Sequence, residues 1–125
     1  ESARMLPLQR VVEGEILLTL AVEPPPGHHF TEGAGLTYEF RWQAAPAGEP
    51  FAKGGIKNPS EDLPFLISVA MKEGGKRSLI GSFRISYSTD AQPQSSKVQS
   101  MTAVLPFAFD AAGARKVSVT VRAVP

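Results

Sequence analysis

The sequence contains no cysteine. Disulfides, thiolate catalysis and zinc–sulfur sites are therefore excluded within this chain, and either redox compartment stays open. Charge of one sign is lacking too. Thirteen basic and 12 acidic residues leave a net charge of +1, and Arg and Lys are scattered along the chain. That excludes the electrostatic footprint of a nucleic-acid or acidic-membrane surface. No apolar run approaches the ~20 residues of a membrane-spanning helix, so no membrane insertion is expected. No charged segment followed by an apolar stretch opens the chain, so no signal peptide is read there. The start at Glu1 suggests a domain taken from a longer protein. A convincing 3.6-residue period is also missing, which argues against helices as the main element.

What is present is period-2 alternation cut by turns. In "GEILLTLAVE" (14–23), Ile16, Leu18, Leu20 and Val22 share one face, and Pro24–Pro26 end the strand because proline cannot donate to a ladder. "LTYEFRWQ" (36–43) sets Leu36, Tyr38, Phe40 and Trp42 against Thr37, Glu39, Arg41 and Gln43, the pattern of a half-buried antiparallel strand. A weak strand at 51–58 is broken by Gly54–Gly55. Further strands are predicted at 65–72, 78–88, 98–109 (bent or ended near Pro106) and 115–124. The polar stretch 89–97 reads as a loop. Seven or so short strands between Pro/Gly turns indicate an all-β chain, an immunoglobulin-like antiparallel β-sandwich. Phe40, Trp42, Phe83 and Ile85 are expected in its core. Residues 1–12 are expected to be a linker or edge segment and 13–125 a single sandwich domain. The path of 44–62 stays open.

Candidate chemistry is sparse. His28 and His29 are adjacent, and neighbours in an extended segment point to opposite sides. One metal therefore cannot easily take both, and a turn carrying partly exposed rings is the plainer reading. No nucleophile and orienting group accompany them. Glu61, Asp62 and Asp90 read as turn and cap residues rather than an acid–base pair. "EGGK" (73–76) lacks phosphate-loop spacing and reads as a turn. Trp42 and the aromatic stripe could line a groove, but alternation opposite polar residues is a core pattern. Tyr87 could be a corner tyrosine whose hydroxyl bonds backbone. No catalytic, metal or cofactor site is assigned.

Three stretches taken together resemble a known family: "GEILLTLAVEPPPGHHFTEGA", "LIGSFRISYS" with the polar loop after it, and "VQSMTAVLPFAF". The family is the C-terminal β-domain of the thioredoxin-like/NHL-repeat proteins, of the NHL-repeat-containing protein 2 and suppressor-of-quenching type. The amino-terminal domain of the thiol:disulfide interchange protein DsbD is a more distant likeness. The resemblance spans residues 14–109. In the family, the strand matching "RISYS" usually ends in Tyr-Tyr-Cys, with a second Cys several residues on. Here Ser88 stands at the first position and Ser95 or Ser96 at the second. A hydroxyl cannot exchange with a disulfide, so the family's thiol chemistry does not carry over.

The resemblance implies a non-catalytic accessory or interaction domain, beside a propeller and a thioredoxin-like domain or against a partner protein. It makes the thylakoid lumen of chloroplasts the first compartment to consider, with a link to photoprotective quenching. The cytoplasm and the bacterial periplasm are the alternatives. A stand-alone peptide- or carbohydrate-binding sandwich, or a thiol–disulfide interchange module that has lost its cysteines, are the other readings. Loops at the sandwich ends are the natural docking places: His28, His29, Phe30 and Thr31 on one, Asp90, Gln92, Gln94 and Lys97 on the other.

Overall fold

The computed structural model describes residues 3–31, 33–43, 49–89, 91 and 95–124. Two β-sheets pack face to face. The strands are β1 (Arg4–Met5), β2 (Gln9–Val11), β3 (Gly14–Glu23), β4 (His28–Phe30), β5 (Leu36–Trp42), β6 (Ala52–Ile56), β7 (Phe65–Met71), β8 (Lys76–Thr89), β9 (Ser96–Phe109) and β10 (Lys116–Arg122). One short helix, α1 (Pro59–Asp62), carries Glu61 and Asp62 in its first turn. The larger sheet runs β1-β9-β8-β5-β6, with β2 also on β9 and β4 also on β8; the smaller runs β10-β3-β7. The fold is an all-β sandwich of two open sheets, as the alternation predicts.

The period-2 patterns translate directly into the core. Ile16, Leu18, Leu20 and Val22 of β3 and Ile67, Val69 and Met71 of β7 are buried from one side. Leu36, Phe40, Leu79, Phe83, Ile85, Met101, Leu105 and Phe107 are buried from the other. Each such large side chain removed from water contributes roughly 1.5–3 kcal/mol. Aromatic rings join the two layers. Phe65 meets Phe40 edge-on at 5.0 Å and Tyr38 at 4.8 Å, and Phe40 meets Phe83 at 5.6 Å.

Four features differ from expectation. First, the sandwich is not wholly antiparallel: β1 and β2 run parallel to β9, and β10 runs parallel to β3. Residues 4–5 and 9–11 form edge strands of the larger sheet, and Val11 is fully buried. Second, β9 does not stop at Pro106. Ser78 accepts from the Gln43 N–H at 3.0 Å, so the backbone groups of Ser78 face β5. The Ser78–Pro106 pair is then a non-hydrogen-bonded one. Proline's missing N–H points at the far side, between β1 (paired with 103–104) and β2 (paired with 107–109), where no ladder bond is needed. Third, Trp42 is only half-buried. It is the last residue of β5, and its ring is covered by Phe51, stacked at 5.5 Å, and by the Arg77 guanidinium at 3.6 Å from its centroid. Fourth, the Tyr87 hydroxyl donates to the Gln99 side chain at 3.1 Å, not to backbone.

Candidate functional site

The Pro-Pro-Gly corner explains itself locally. The His28 N–H donates to the Pro25 carbonyl at 3.1 Å, and Gly27 has φ +75°. Pro26 then Gly27 at the two central positions is the signature of a type II turn, whose second central residue needs positive φ. The turn delivers His28–Phe30 not as a loop but as strand β4, paired antiparallel with the end of β8: His28 with Thr89, His29 with Ser88, Phe30 with Tyr87. β9 pairs with the same stretch from the other side: Ser96 with Ser88 and Lys97 with Tyr87. Thr89 and Lys97 are therefore strand residues too, and the loop between β8 and β9 is shorter than 89–97.

The structure thus brings the two predicted stretches together, yet splits them between faces. His29, Ser88 and Ser96 form one row across β4, β8 and β9 on the outer face of the larger sheet. Thr31 joins them: its Oγ1 lies 2.9 Å from the Ser88 Oγ. Its N–H donates to the Ser86 carbonyl at 2.9 Å. Ser88 is only 1% exposed and is a buried polar residue among the hydrophobic ones. Phe30, Tyr87 and Lys97 form the neighbouring row on the opposite face. Phe30 is half-buried: it packs against the core and also lines the groove beside His29. The His28 Nδ1 lies 2.9 Å from the Pro26 carbonyl, and its ring sits edge-on to Tyr87 at 5.2 Å. The two histidines point apart, as the extended backbone requires. Asp90, Gln92 and Gln94 lie outside the described residues.

Next to this row is a groove of about 320 Å³, lined by His29, Thr31, Lys57, Asn58, Ser60 and Glu61. Sequence reasoning did not associate the α1 segment with the histidine corner, because nothing local signals that 57–61 folds back beside it. A larger, shallow polar depression of about 680 Å³ crosses the outer face, between Thr37 and Glu39 of β5, Lys53 of β6, Arg84 of β8 and Ser100 and Thr102 of β9. A third, of about 420 Å³, lies beside Trp42, Arg77 and Leu8. Burial lowers the Arg77 pKa from its ordinary value, although a guanidinium stays charged in proteins.

Among the described residues, no group of three or more His, Asp or Glu comes together as a metal site, and no helix is long and apolar enough to cross a membrane. No protein-family model matches the chain, and no curated protein matches it. What the His29 row offers chemically is hydrogen bonding from hydroxyls and an imidazole on a rigid sheet end.

Proposed function

We propose that this chain is a non-catalytic β-sandwich accessory domain. It docks through the His29–Thr31 end of its larger sheet onto neighbouring domains of a longer thioredoxin-like/NHL-repeat protein. The observation that carries the reading is the single row His29–Ser88–Ser96. Two segments far apart in sequence meet there, on adjacent strands, with His29, Thr31 and Ser96 reaching the surface around a buried Ser88, beside an open groove. The rigid sheet presents these groups with little ordering cost on binding. Ser88 and Ser96 directly face each other, so a cysteine pair at these positions in the resembled family would be a cross-strand pair. The serines leave the shape of that surface while removing its thiol chemistry. Near-balanced charge means that steering is weak and salt matters little.

The test is titration of the domain against the remainder of its parent chain. His29→Ala, and separately a shortened 90–95 loop, should each weaken binding while circular dichroism stays unchanged. Unaltered affinity in both variants would reject this surface.

A further inference from the structure

The N-terminal arm, residues 3–12, reaches its place through one abrupt reversal. β2 runs with β9 towards the 110–114 turn, and β3 runs back from that turn beside β10. Val12, Glu13 and Gly14 therefore carry the chain out of the larger sheet and into the smaller one within three residues. Gly14 does so at φ +104°, and a Cβ built on it would meet nothing within 4 Å. The demand at Gly14 is thus conformational and not steric: a side chain would strain this backbone, and glycine does not.

The arm is held mainly by its backbone. Met5 and Leu8 are exposed, Leu6 and Val12 are partly buried, and of residues 3–12 Val11 is the one fully buried. Besides the ladder to β9, Leu6 donates its N–H to the Val104 carbonyl at 2.9 Å and Val12 to the Ala114 carbonyl at 3.2 Å. The Asp110 N–H donates to the Val11 carbonyl at 2.9 Å and the Ala114 N–H to the Arg10 carbonyl at 3.0 Å. Arg4 adds a side-chain bond to the Arg122 carbonyl. The seat that receives β2 is built without the arm. Gly113 donates to the Asp110 carbonyl at 2.8 Å, and the Ala112 N–H donates to the Asp110 carboxylate at 2.9 Å, so the turn holds its own shape. Gly113 also fits the seat closely: a Cβ there would come within 2.7 Å of the Arg10 carbonyl oxygen and of the Val11 backbone.

We propose that residues 3–12 are an exchangeable arm: the seat between β9 and the 110–114 turn accepts the arm of a second copy of this chain, and Gly14 decides which copy supplies it. With Val12–Gly14 extended, the arm leaves the body at the end where the seat lies. A two-fold axis through the hinge then brings it to the same seat on the other copy. Each arm makes the contacts it made at home, so the exchange needs no new surface. With glycine at position 14 the reversal is unstrained, and the tether favours the chain's own arm. A side chain at position 14 penalises only the closed form, because the extended hinge has no positive φ. A dimer relieves two hinges, so a penalty of about tenfold on each favours exchange about a hundredfold. This surface is separate from the His29 row, and its test does not depend on that reading.

Sedimentation of the whole chain tests this, after refolding at high protein concentration. The wild-type chain should be monomeric at micromolar concentration, and Gly14→Ala should lower the dimer dissociation constant about a hundredfold. Deleting Glu13 shortens the reversal without touching Gly14 and should give the same dimer. Gly74→Ala is the control for strain alone. Gly74 also has positive φ, +73°, with nothing within 4 Å of an added Cβ, but it lies in the turn between β7 and β8, and its variant should stay monomeric. Gly113→Ala obstructs the seat whichever copy supplies the arm, so adding it to either hinge variant should return the monomer. A covalent readout identifies the arm as the exchanged part. Met5 pairs with Val104, and adjacent strands lie about 4.8 Å apart, within the roughly 4.4–6.8 Å that a disulfide spans. Met5→Cys in one chain and Val104→Cys in another, both carrying Gly14→Ala, should form a mixed disulfide when refolded together and oxidised. The same pair with Gly14 intact should not. Monomers from both hinge variants, a dimer that survives Gly113→Ala, a dimer of Gly74→Ala, or a hinge-variant dimer without the mixed disulfide would each overturn the proposal.

Discussion

The Thr31 and Ser88 hydroxyls lie 2.9 Å apart, although the residues are 57 positions apart in sequence. This bond ties the strand after the Pro-Pro-Gly corner to the end of β8, at a point where Ser88 is buried. Removing one partner leaves the other without it, and a stranded buried hydroxyl costs about 1–3 kcal/mol. Thr31→Val, which strands the buried Ser88 hydroxyl, is expected to destabilise the domain by about that amount. Adding Ser88→Ala should cost less than the sum of the two single changes. Urea unfolding of the two single variants and the double variant measures the coupling; strictly additive effects would show that the bond contributes nothing.

Ser88 and Ser96 are directly opposed in a non-hydrogen-bonded antiparallel pair, a geometry with Cα atoms about 4.5 Å apart. That falls in the window a disulfide spans, roughly 4.4–6.8 Å. The Ser88→Cys/Ser96→Cys variant should therefore form an intramolecular disulfide under mild oxidation. Closing so short a loop should stabilise by no more than about 2–3 kcal/mol. Mass spectrometry after alkylation gives the yield. Two free thiols after oxidation would mean that the strand ends are not held in this register.

The strands themselves were legible in the sequence because burying one face of a pleated strand writes period 2 into it. β3, β5, β7, β8 and β10 fall where the alternation of Ile16–Val22, Leu36–Trp42, Phe65–Met71, Leu79–Tyr87 and Val117–Val121 puts them. What stayed hidden depends on partners distant in sequence. Two- and three-residue strands such as β1, β2 and β4 are too short to show a period. The tolerance for Pro106 depends on which side of β9 its nitrogen faces. Trp42 obeys the alternation and packs against the core, yet as the last residue of β5 it stays half-buried, so pattern alone overstated its burial. The candidate site was half legible. The histidine corner and the 89–97 stretch were found separately, but only the β4–β8–β9 register joins them and turns Phe30 inward.

The Trp42–Arg77 stack should be measurable despite its partial exposure. A guanidinium over an indole contributes about 0.5–2 kcal/mol, and Arg77 also caps the Ala70 carbonyl. Arg77→Gln is expected to lower stability by about 1–2 kcal/mol and to shift the emission of Trp42, the single tryptophan of the chain. Trp42→Ala should cost less than the roughly 3–5 kcal/mol typical of a fully buried large aromatic. A loss within that range would mean that Trp42 belongs to the core after all. Thermal unfolding followed by circular dichroism serves all three proteins, since it does not rely on the indole.

Gly81 offers the sharpest test of the packing between the aromatic rings. It occupies an inward position of β8, where a side chain is expected by alternation, and pairs with Phe40 on β5 and Ala103 on β9. A Cβ placed there would meet the Phe83 ring at 3.0 and 3.1 Å and the Phe40 ring at 3.2 Å. Its backbone has no positive φ, so the obstacle to a methyl group is space and not conformation. Elsewhere in a strand, Gly→Ala removes unfolded-state entropy and stabilises by about 0.4–1 kcal/mol. Here the two rings must shift against a core already closed by Phe65 from the other sheet, and overpacking costs about 1–3 kcal/mol. The second effect exceeds the first, so Gly81→Ala should be net destabilising by about 1–2 kcal/mol. The pairing of Gly81→Ala with Phe40→Leu, which frees ring volume, should recover part of the loss. A stabilised Gly81→Ala protein in equilibrium unfolding would show that the rings have room to move, and that the Phe40–Phe83–Phe65 cluster is looser than these distances indicate.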